Sequence, residues 1–290
     1  MIIKHEQIVN KIKNIIKTSG IPIYLSKWDS NFIIKKYNSD KEFISKLNKF
    51  VKSYHSHSSI TVNRSNTTFI KNHKKTPTFY YDSKYKIGRI VYYEYLLDFN
   101  DKYEKSKQFV LLVNTVKNKL TKWYNDGMTG LIIDLRNHSG GWFVPFVYSL
   151  YSILHNASLF AWSDIKTKAT DKNWISYIEK KVIYQTKLLD NLTTHIPIAV
   201  IIGKKTYSSG EFCASIFYRK NKMIKIFGQN TRGGLSVNNT FDITPDIKLH
   251  IPIKLVTTVD GIFHTKQYLQ PNKRTTKPIQ DAKKWIISKR

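Results

Sequence analysis

Apolar side chains in the first 60 residues recur at the spacing of amphipathic helices. The first segment has apolar residues at positions 8, 9, 12, 15 and 16 and is followed by Gly20, which favours a helix end. A second segment begins at Ser39, a capping candidate, and runs to Tyr54. One face of this segment carries Phe43, Ile44, Leu47, Phe50 and Val51. The pattern predicts an N-terminal helical subdomain over residues 1–60.

Residues 61–85 break this pattern, because they are polar and rich in Asn, Lys and Thr. They predict a loop or small hairpin. From Lys86 onward, apolar runs typical of buried strands alternate with helical segments. We expect strands at 86–97, 130–136, 196–203 and 224–229, and helices at 105–126, 143–154, 209–220 and 278–288.

Strands that are apolar throughout, rather than alternating with polar residues, are typical of a sheet covered on both faces. Residues 86–290 therefore predict an α/β core built around a mixed sheet. Within this core, residues 163–195 are polar and Lys-rich and predict an insertion or cap. Asp260-Gly261 predicts a two-residue hairpin turn.

The formal net charge of +28 first suggests nucleic acid as a partner. The charge is carried mostly by lysines spread over the whole chain, and only seven residues are arginine. A groove built for polyanions favours arginine forks, so this pattern indicates a charged, solvated surface with no specific nucleic-acid partner. Such a surface would still attract acidic peptides or membranes weakly and in a salt-sensitive way.

The number of cysteines and the length of the apolar segments indicate where in the cell the protein is located. Cys213 is the sole cysteine, which excludes an intramolecular disulfide framework. The N-terminus lacks the continuous apolar region of a signal peptide, and no stretch reaches the roughly 18 apolar residues of a membrane span. We therefore expect a cytoplasmic or otherwise intracellular protein without a transmembrane segment.

The first candidate for chemistry is Ser208, where a helix is expected to follow the apolar strand 196–203. Backbone N–H groups in a first helical turn are unpaired, and the helix dipole favours negative charge there. These conditions stabilise the oxyanion that forms when a hydroxyl attacks an amide. The local sequence also fits the simpler interpretation that Ser208 or Ser209 is only a helix cap.

The second candidate is the glycine pair Gly140-Gly141, which follows the apolar strand 130–136. Paired glycines let bare backbone approach a ligand or an oxyanion closely, although they also fit a tight turn with positive φ. Asp134 and Arg136 predict a structural ion pair at the end of this strand.

The third candidate is a pair of histidines, His55 and His57, just after the second helix. A histidine base can come from anywhere in a chain, because only its position in space matters. The i, i+2 spacing would also suit two metal ligands on one strand face, but no HExxH motif or cysteine cluster completes a zinc site. The sequence therefore predicts no metal and no cofactor.

Three segments together resemble the tail-specific, or C-terminal processing, serine peptidase family. Residues 130–141, GLIIDLRNHSGG, match the family pattern GLIxDLRxNxGG, except that Asn137 comes early and His138 or Ser139 takes its place. Residues 206–211 match the Thr/Ser-x-Ser-x-x-Glu turn, and residues 228–234 match the GxxTxGG segment. The likeness extends over residues 30–288 in order and spacing, without room for a PDZ module.

The resemblance implies a ClpP/crotonase-like peptidase core with Ser208 as its nucleophile. The family's Ser–Lys branch carries its lysine beside the glycines of the last segment, where this chain has Gly234. The Ser–His branch, which includes the nisin resistance protein and the tricorn core, is therefore the better match. That branch implies His57, followed by Ser58, as the base.

On this interpretation His57, with an ordinary pKa of ~6.5, takes the proton of Ser208 and later gives it to the leaving amine. The oxyanion is expected to accept hydrogen bonds from the amides of Ser209 and of Gly140 or Gly141. The expected partner is a peptide or protein substrate.

Two further side chains have open roles. Glu211 and Ser58 could each orient the histidine, but either could be structural, because acids are favoured in a first helical turn anyway. Cys213 lies on a different helix face from the nucleophile and is expected in the packed core. Two other classes of protein stay open: a catalytically inactive member of the fold that binds peptides or another ligand, and a nucleic-acid-associated protein suggested by charge alone.

Overall fold

The structure is a computed structural model that describes residues 2–62, 76–95, 102–141, 143–150, 161–163, 170–171, 196–218, 222–257 and 268–290. The helices of these residues are α1 Ile2–Ser19, α2 Pro22–Leu25, α3 Asp40–Tyr54, α4 Lys102–Asn125, α5 Val144–Ser149, α6 Ser209–Ser215 and α7 Pro278–Ile287. The strands are β1 Ser59–Val62, β2 Thr78–Asp82, β3 Ile87–Tyr95, β4 Gly130–Gly141, β5 Ala161–Ser163, β6 Thr170–Asp171, β7 Ile198–Ile202, β8 Ile224–Gly228, β9 Ser236–Asp242, β10 Ile247–Thr257 and β11 Lys273–Arg274.

Two compact units are present. The first comprises residues 1–66, 162–170 and 236–256, and the second comprises 67–161, 171–235 and 257–290. The N-terminal helices thus share a unit with two strands from late in the sequence. The division into domains expected from the sequence remains a prediction.

The helices of the first unit form as their apolar spacing predicts. Ser39 caps α3, because its hydroxyl accepts a hydrogen bond from the backbone N–H of Glu42 at 3.2 Å. The buried face of α3 packs on α1 and on the late strands. The core that these elements share includes Ile8, Val9, Ile12, Ile16, Phe43, Leu47, Phe50, Val51, Leu249 and Ile251. The Tyr54 hydroxyl, which accepts from Ile21 N at 2.6 Å and donates to Pro252 O at 3.2 Å, fastens the end of α3 to β10.

The strands of the first unit pair around β10. Strand β1 runs antiparallel to β10, with Ser59 opposite His250, and β9 also runs antiparallel to β10, with Thr240 opposite His250. Strands β5 and β6 extend the same sheet beyond β10. Since β1 follows α3 after four residues, the segment between them is held at both ends.

The second unit is built on a six-stranded sheet with the order β11-β8-β7-β4-β3-β2. Strands β3, β4, β7, β8 and β11 are parallel, and β2 is an antiparallel edge strand paired with β3. All five residues of β7 are buried, as expected for a strand covered on both faces. The mixed α/β fold class predicted from the sequence is confirmed.

Helices cover both faces of this sheet. Ala282 and Ile286 of α7 pack on one face, in a cluster with Ile87, Ile132, Ala199, Ile201 and Phe227. Because successive strand residues point to opposite faces, Ile133 and Val200 face the other side, where they are also fully buried. Helix α6 contacts β4. Because these strands are parallel, the residues that follow them lie together at the carboxyl-terminal ends of the strands, which is where ligands bind in such folds.

Strand β4 is longer than the sequence predicts, because it runs to Gly141 rather than ending at Arg136. Within residues 137–141, Asn137 pairs with Tyr93 and Gly141 pairs with Tyr95 of β3, and the register shifts before each of these pairs. Hydrogen bonding to a neighbouring strand thus extends an element whose apolar pattern has already ended. Helix α6 is shorter than predicted and ends at Ser215.

Several predictions fall wholly or partly on other residues. The Asp260-Gly261 turn lies outside the described residues, as do positions 63–75, the end of the helix expected at 143–154 and most of the 163–195 insertion. These remain predictions.

Candidate active site

Ser208 has an unusual backbone conformation at the start of α6. Its φ is 52° and its ψ is −118°, and among the described non-glycine residues only Lys86 shares a positive φ. A non-glycine residue held in such a region costs about 1–3 kcal/mol, and such strain clusters at active sites. A serine on a strained strand-to-helix turn is the arrangement of a nucleophile elbow, which exposes the hydroxyl to a substrate. Ser208 also forms a capping box with Glu211, but an ordinary helix cap has extended backbone angles, which Ser208 does not.

Thr206 fastens the loop between β7 and α6 to β4. Its hydroxyl donates to Leu135 O at 2.8 Å and accepts from Gly203 N at 3.0 Å. One residue later, Tyr207 N donates to His138 O at 3.1 Å. Because β4 is a central strand, these bonds give the loop a rigid base.

Glu211, in the first turn of α6, holds the same turn through its side chain. Its carboxylate accepts from Ser208 N at 3.1 Å, from Gly233 N at 3.0 Å, from Gly234 N at 2.5 Å and from the Thr231 hydroxyl. Four donors surround a side chain that is fully buried. Burial raises the pKa of Glu211 to about 7, and these hydrogen bonds oppose the rise because they favour the charged form. Glu211 therefore ties the nucleophile turn to the Gly233-Gly234 segment.

Gly140 lies next to Ser208, whereas Gly141 lies against the backbone of Tyr95. Gly140 has a φ of 136° and Gly141 a φ of 98°, so both adopt conformations that other residues rarely take. A Cβ placed on Gly140 would lie 3.7 Å from the Cβ of Ser208. Ser209 N–H belongs to the first turn of α6, where no intrahelical acceptor exists. The structure thus brings Ser208, Ser209, Glu211 and Gly140 together within the second unit.

His57 lies in the first unit, in the turn between α3 and β1. Its ring Nδ1 is 2.8 Å from the hydroxyl of Ser236, the first residue of β9. Burial lowers the pKa of His57 to about 4, below the ordinary value expected from the sequence. The imidazole is therefore neutral at neutral pH, which is the form that can accept a proton.

His55 and Ser58 flank this histidine and have different surroundings. His55 Nδ1 accepts from the His57 backbone N–H at 3.0 Å, and burial lowers the pKa of His55 to about 4. The Ser58 hydroxyl is buried, and the described part of the chain offers it no hydrogen-bond partner. The orienting role expected for Ser58 stays a prediction. No cluster of three or more potential metal ligands occurs among the residues that the structure describes.

Cys213 and His138 form a buried pair behind the turn, with Sγ and Nε2 3.8 Å apart. Burial raises the pKa of the Cys213 thiol and lowers that of His138 to about 4. A thiol of raised pKa is a poor nucleophile, so Cys213 belongs to the core as predicted. The ion pair predicted between Asp134 and Arg136 is confirmed, with Nη2 2.7 Å from Oδ2.

Sequence reasoning missed three residues that contact the candidate site residues. Thr231, which donates to Glu211, lies inside the GxxTxGG segment, so the motif carried a signal for it. Ser236 and Asn238 contact His57 from 179 and 181 residues away, and no local pattern links them to it. A buried serine at the start of a strand is a weak signal alone.

A serine on a strained strand-to-helix turn, with a glycine bend beside it, is a feature of hydrolases that use a serine nucleophile. The sequence of residues 107–275, more than half of the chain, matches the model of peptidase family S41. The chain belongs to this family.

Two relatives illustrate the match. A nisin-resistance protein from Lactococcus lactis subsp. lactis is 27% identical over 166 residues, which are 57% of this chain and 52% of that protein, so the chain spans about half the length of this relative. A solved structure of a lipoprotein from Streptococcus agalactiae covers 99% of this chain and 97% of its own, with 23% identity and a TM-score of 0.75. The second likeness shows the fold. Within the described residues, no helix is both long and apolar enough to cross a membrane.

Proposed function

We propose that this protein is a serine endopeptidase of the tail-specific type, in which Ser208 attacks the peptide carbonyl and His57 acts as its base. One observation carries the proposal: the positive φ of Ser208 at a strand-to-helix turn. Strain of this kind persists only where surrounding contacts enforce it, and the contacts of Glu211 and Thr206 do so. Membership of family S41 supports the same reaction class.

In the first step, the Ser208 oxygen bonds to the carbonyl carbon of the substrate while its proton passes to Nε2 of His57. The imidazolium then gives this proton to the leaving amine as the C–N bond breaks, which leaves an ester on Ser208. Water attacks this ester with the same base, and the acid product leaves. The low pKa of His57 keeps the base deprotonated at neutral pH.

The oxyanion of each tetrahedral intermediate accepts hydrogen bonds from Ser209 N–H and from Gly140 or Gly141 N–H. The 3.7 Å separation between the Gly140 Cβ position and Ser208 Cβ supports this assignment, because bare backbone lies beside the nucleophile. Donors aimed at developing charge are each worth about 3 kcal/mol of the barrier.

Glu211 acts through the turn rather than on the substrate. Its two oxygens are already engaged by four donors, and one of these is the Ser208 amide. We therefore assign Glu211 to positioning the nucleophile and not to orienting the histidine.

The test is hydrolysis of a mixture of unstructured peptides, followed by mass spectrometry. Ser208→Ala and His57→Ala should each abolish cleavage, and Lys204→Ala and Lys205→Ala, in the same loop, should leave turnover within about two-fold because no lysine base operates. Cleavage retained in either of the first two variants would refute the assignment. Peptide binding without cleavage by the wild type would instead identify an inactive, ligand-binding member of the fold.

The substrate, by this proposal, is a peptide or protein, and no specific nucleic-acid partner is involved. The intracellular location expected from the sequence has no support beyond the sequence itself. The Streptococcus agalactiae neighbour is described as a lipoprotein, which makes a cell-surface location of this chain the alternative to test by fractionation.

A further inference from the structure

One strand of the first unit contacts His57 through two of its residues. The hydroxyl of Ser236 lies 2.8 Å from the ring Nδ1, and the side-chain amide of Asn238 donates to the His57 carbonyl oxygen at 2.8 Å. Ser236 and Asn238 are two residues apart on β9, so they project from the same face of the strand. Ser236 is only 2% exposed.

The backbone of His57 is fixed from the other side as well. Its N–H donates to His55 Nδ1 at 3.0 Å, and His55 is itself buried at the end of α3. The backbone of the histidine is thus held at both its N–H and its carbonyl, and the ring is held at Nδ1. The Nδ1 contact therefore acts on a ring whose backbone is already fixed.

The contact at Nδ1 determines which ring nitrogen can do chemistry. A neutral imidazole has one N–H donor and one lone-pair acceptor, and the partner of one nitrogen sets the state of the other. When Nδ1 carries the hydrogen and donates it to Ser236 Oγ, Nε2 presents its lone pair. That is the nitrogen and the form that a general base requires.

We propose that Ser236 is the positioning residue of His57: it accepts a hydrogen bond from Nδ1–H and thereby fixes the tautomer and ring orientation in which Nε2 is the base. This inference rests on the proposed function for its catalytic meaning. It replaces a carboxylate, the usual third member of such a constellation, with a neutral hydroxyl. A hydroxyl fixes geometry without adding charge, which is consistent with the low pKa of His57. The neighbouring titratable group His55, whose ring centre is 6.5 Å away, is also neutral at pH 7.

The two other side chains considered for this role have different contacts. The Glu211 carboxylate is saturated by donors of the second unit, and the Ser58 hydroxyl has no hydrogen-bond partner in the part of the chain that the structure describes. The Ser236 hydroxyl, by contrast, contacts the His57 ring directly at Nδ1.

The first test needs no substrate. Nitrogen NMR of the full chain labelled with ¹⁵N-histidine distinguishes the Nδ1–H from the Nε2–H tautomer of His57, assigned with a His57→Gln variant. At pH 7 the wild type should show the Nδ1–H form, and Ser236→Ala should shift the population towards Nε2–H. A matched control is Thr240→Ala, which removes a hydroxyl on the same strand that lies 2.9 Å from Nδ1 of His250, and it should leave the His57 signals unchanged. A wild type already in the Nε2–H form would overturn the proposal.

The second test is kinetic. Ser236→Ala should lower kcat about ten-fold, or about 1.4 kcal/mol, with KM nearly unchanged, because the loss falls on a base that acts in the transition state. Ser236→Thr keeps the hydroxyl and should restore most of kcat, and Thr240→Ala should match the wild type. Equal kcat in Ser236→Ala and wild type would overturn the proposal. If the wild type cleaves nothing, the proposed function fails, and the tautomer measurement decides the role of Ser236 by itself.

Discussion

The carboxylate of Glu211 accepts a hydrogen bond from the backbone N–H of Ser208 at 3.1 Å. The two residues lie at opposite ends of the first turn of α6, so the acid holds the serine in its positive-φ conformation. The same carboxylate binds the Gly233-Gly234 amides, which adds a contact from outside the helix. One buried acid therefore links the backbone of Ser208 to the Gly233-Gly234 segment.

Glu211→Gln should disrupt this turn. The amide group would place an NH₂ against backbone donors that now face an oxygen, so at least one buried donor loses its acceptor. The free energy of unfolding should fall by about 2 kcal/mol or more, and peptide cleavage should fall with it. Urea denaturation and peptide hydrolysis measure the two effects.

The matched control for this change is Glu42→Gln. Glu42 holds the same third position of α3 and accepts from Asn38 N at 3.0 Å, but this hydrogen bond is exposed to solvent. Glu42→Gln should lower the free energy of unfolding by no more than about 0.5 kcal/mol, since water can replace the missing hydrogen bond. Equal losses in the two variants would contradict the special role of Glu211.

Gly210 and Gly203 should respond very differently to replacement by alanine. A Cβ on Gly210 would collide with the backbone carbonyl oxygen of His138, which also accepts from Tyr207 N. A Cβ on Gly203 would lie 3.4 Å from the flexible Arg136 side chain. Gly210→Ala should therefore lose about 3 kcal/mol in the free energy of unfolding, and Gly203→Ala less than about 1. Similar losses would show that α6 does not pack on β4 this closely.

Gly140→Ala tests the oxyanion assignment. The added methyl would be in ordinary contact with Ser208 and would fill the space beside the nucleophile, so kcat/KM should fall about 100-fold. The positive φ also costs stability, and Gly127→Ala controls for this cost, because Gly127 has a φ of 79° at the end of α4. Both variants should lose about 1–2 kcal/mol of stability, but only Gly140→Ala should lose activity. Unchanged kcat/KM in Gly140→Ala would remove this bend from the oxyanion site.

Acid should destabilise the protein through its buried histidines. Burial lowers the pKa values of His55, His57 and His138 to about 4, whereas the unfolded chain titrates near ~6.5. Between these values the unfolded state binds more protons, so the free energy of unfolding falls as the pH is lowered, by up to about 1.4 kcal/mol per pH unit for each histidine. Glu211 acts in the opposite direction between pH ~4.3 and about 7, because its folded pKa is raised, so the net slope is smaller.

Urea denaturation between pH 7.5 and 4.5 measures this slope. His138→Gln removes one of the three histidines whose pKa is lowered to about 4 and should make the pH dependence of the free energy of unfolding shallower. An identical slope in the variant and the wild type would mean that the pKa of His138 does not differ between the folded and unfolded states.

Much of the fold could be predicted from periodicity. The run Ile198–Ile202 is apolar at every position, and the run Leu131–Leu135 is apolar except at Asp134, a pattern typical of strands covered on both faces. The end of β4 could not be predicted this way, because the strand continues past its apolar part through the pairing of Asn137 and Gly141 with β3. Hydrogen bonding to a neighbouring strand cannot be predicted from the hydropathy of the local sequence.

The candidate site was predictable in part, and for a similar reason. Ser208 and Glu211 belong to one short motif, and their hydrogen bond spans three residues. The positive φ of Ser208 could not be predicted, since serine has no preference for that region and the surrounding contacts impose it. Ser236 and His57 are 179 residues apart, and only the folded first unit brings them together.

The most direct test of the central claim is labelling with a fluorophosphonate, in which the Ser208 oxygen bonds to phosphorus and fluoride leaves. The account predicts that the wild type is labelled on Ser208, that Ser208→Ala is not labelled, and that His57→Ala is labelled at least about 100-fold more slowly. A folded wild type that takes no label, or a His57→Ala variant labelled as fast as the wild type, would contradict it.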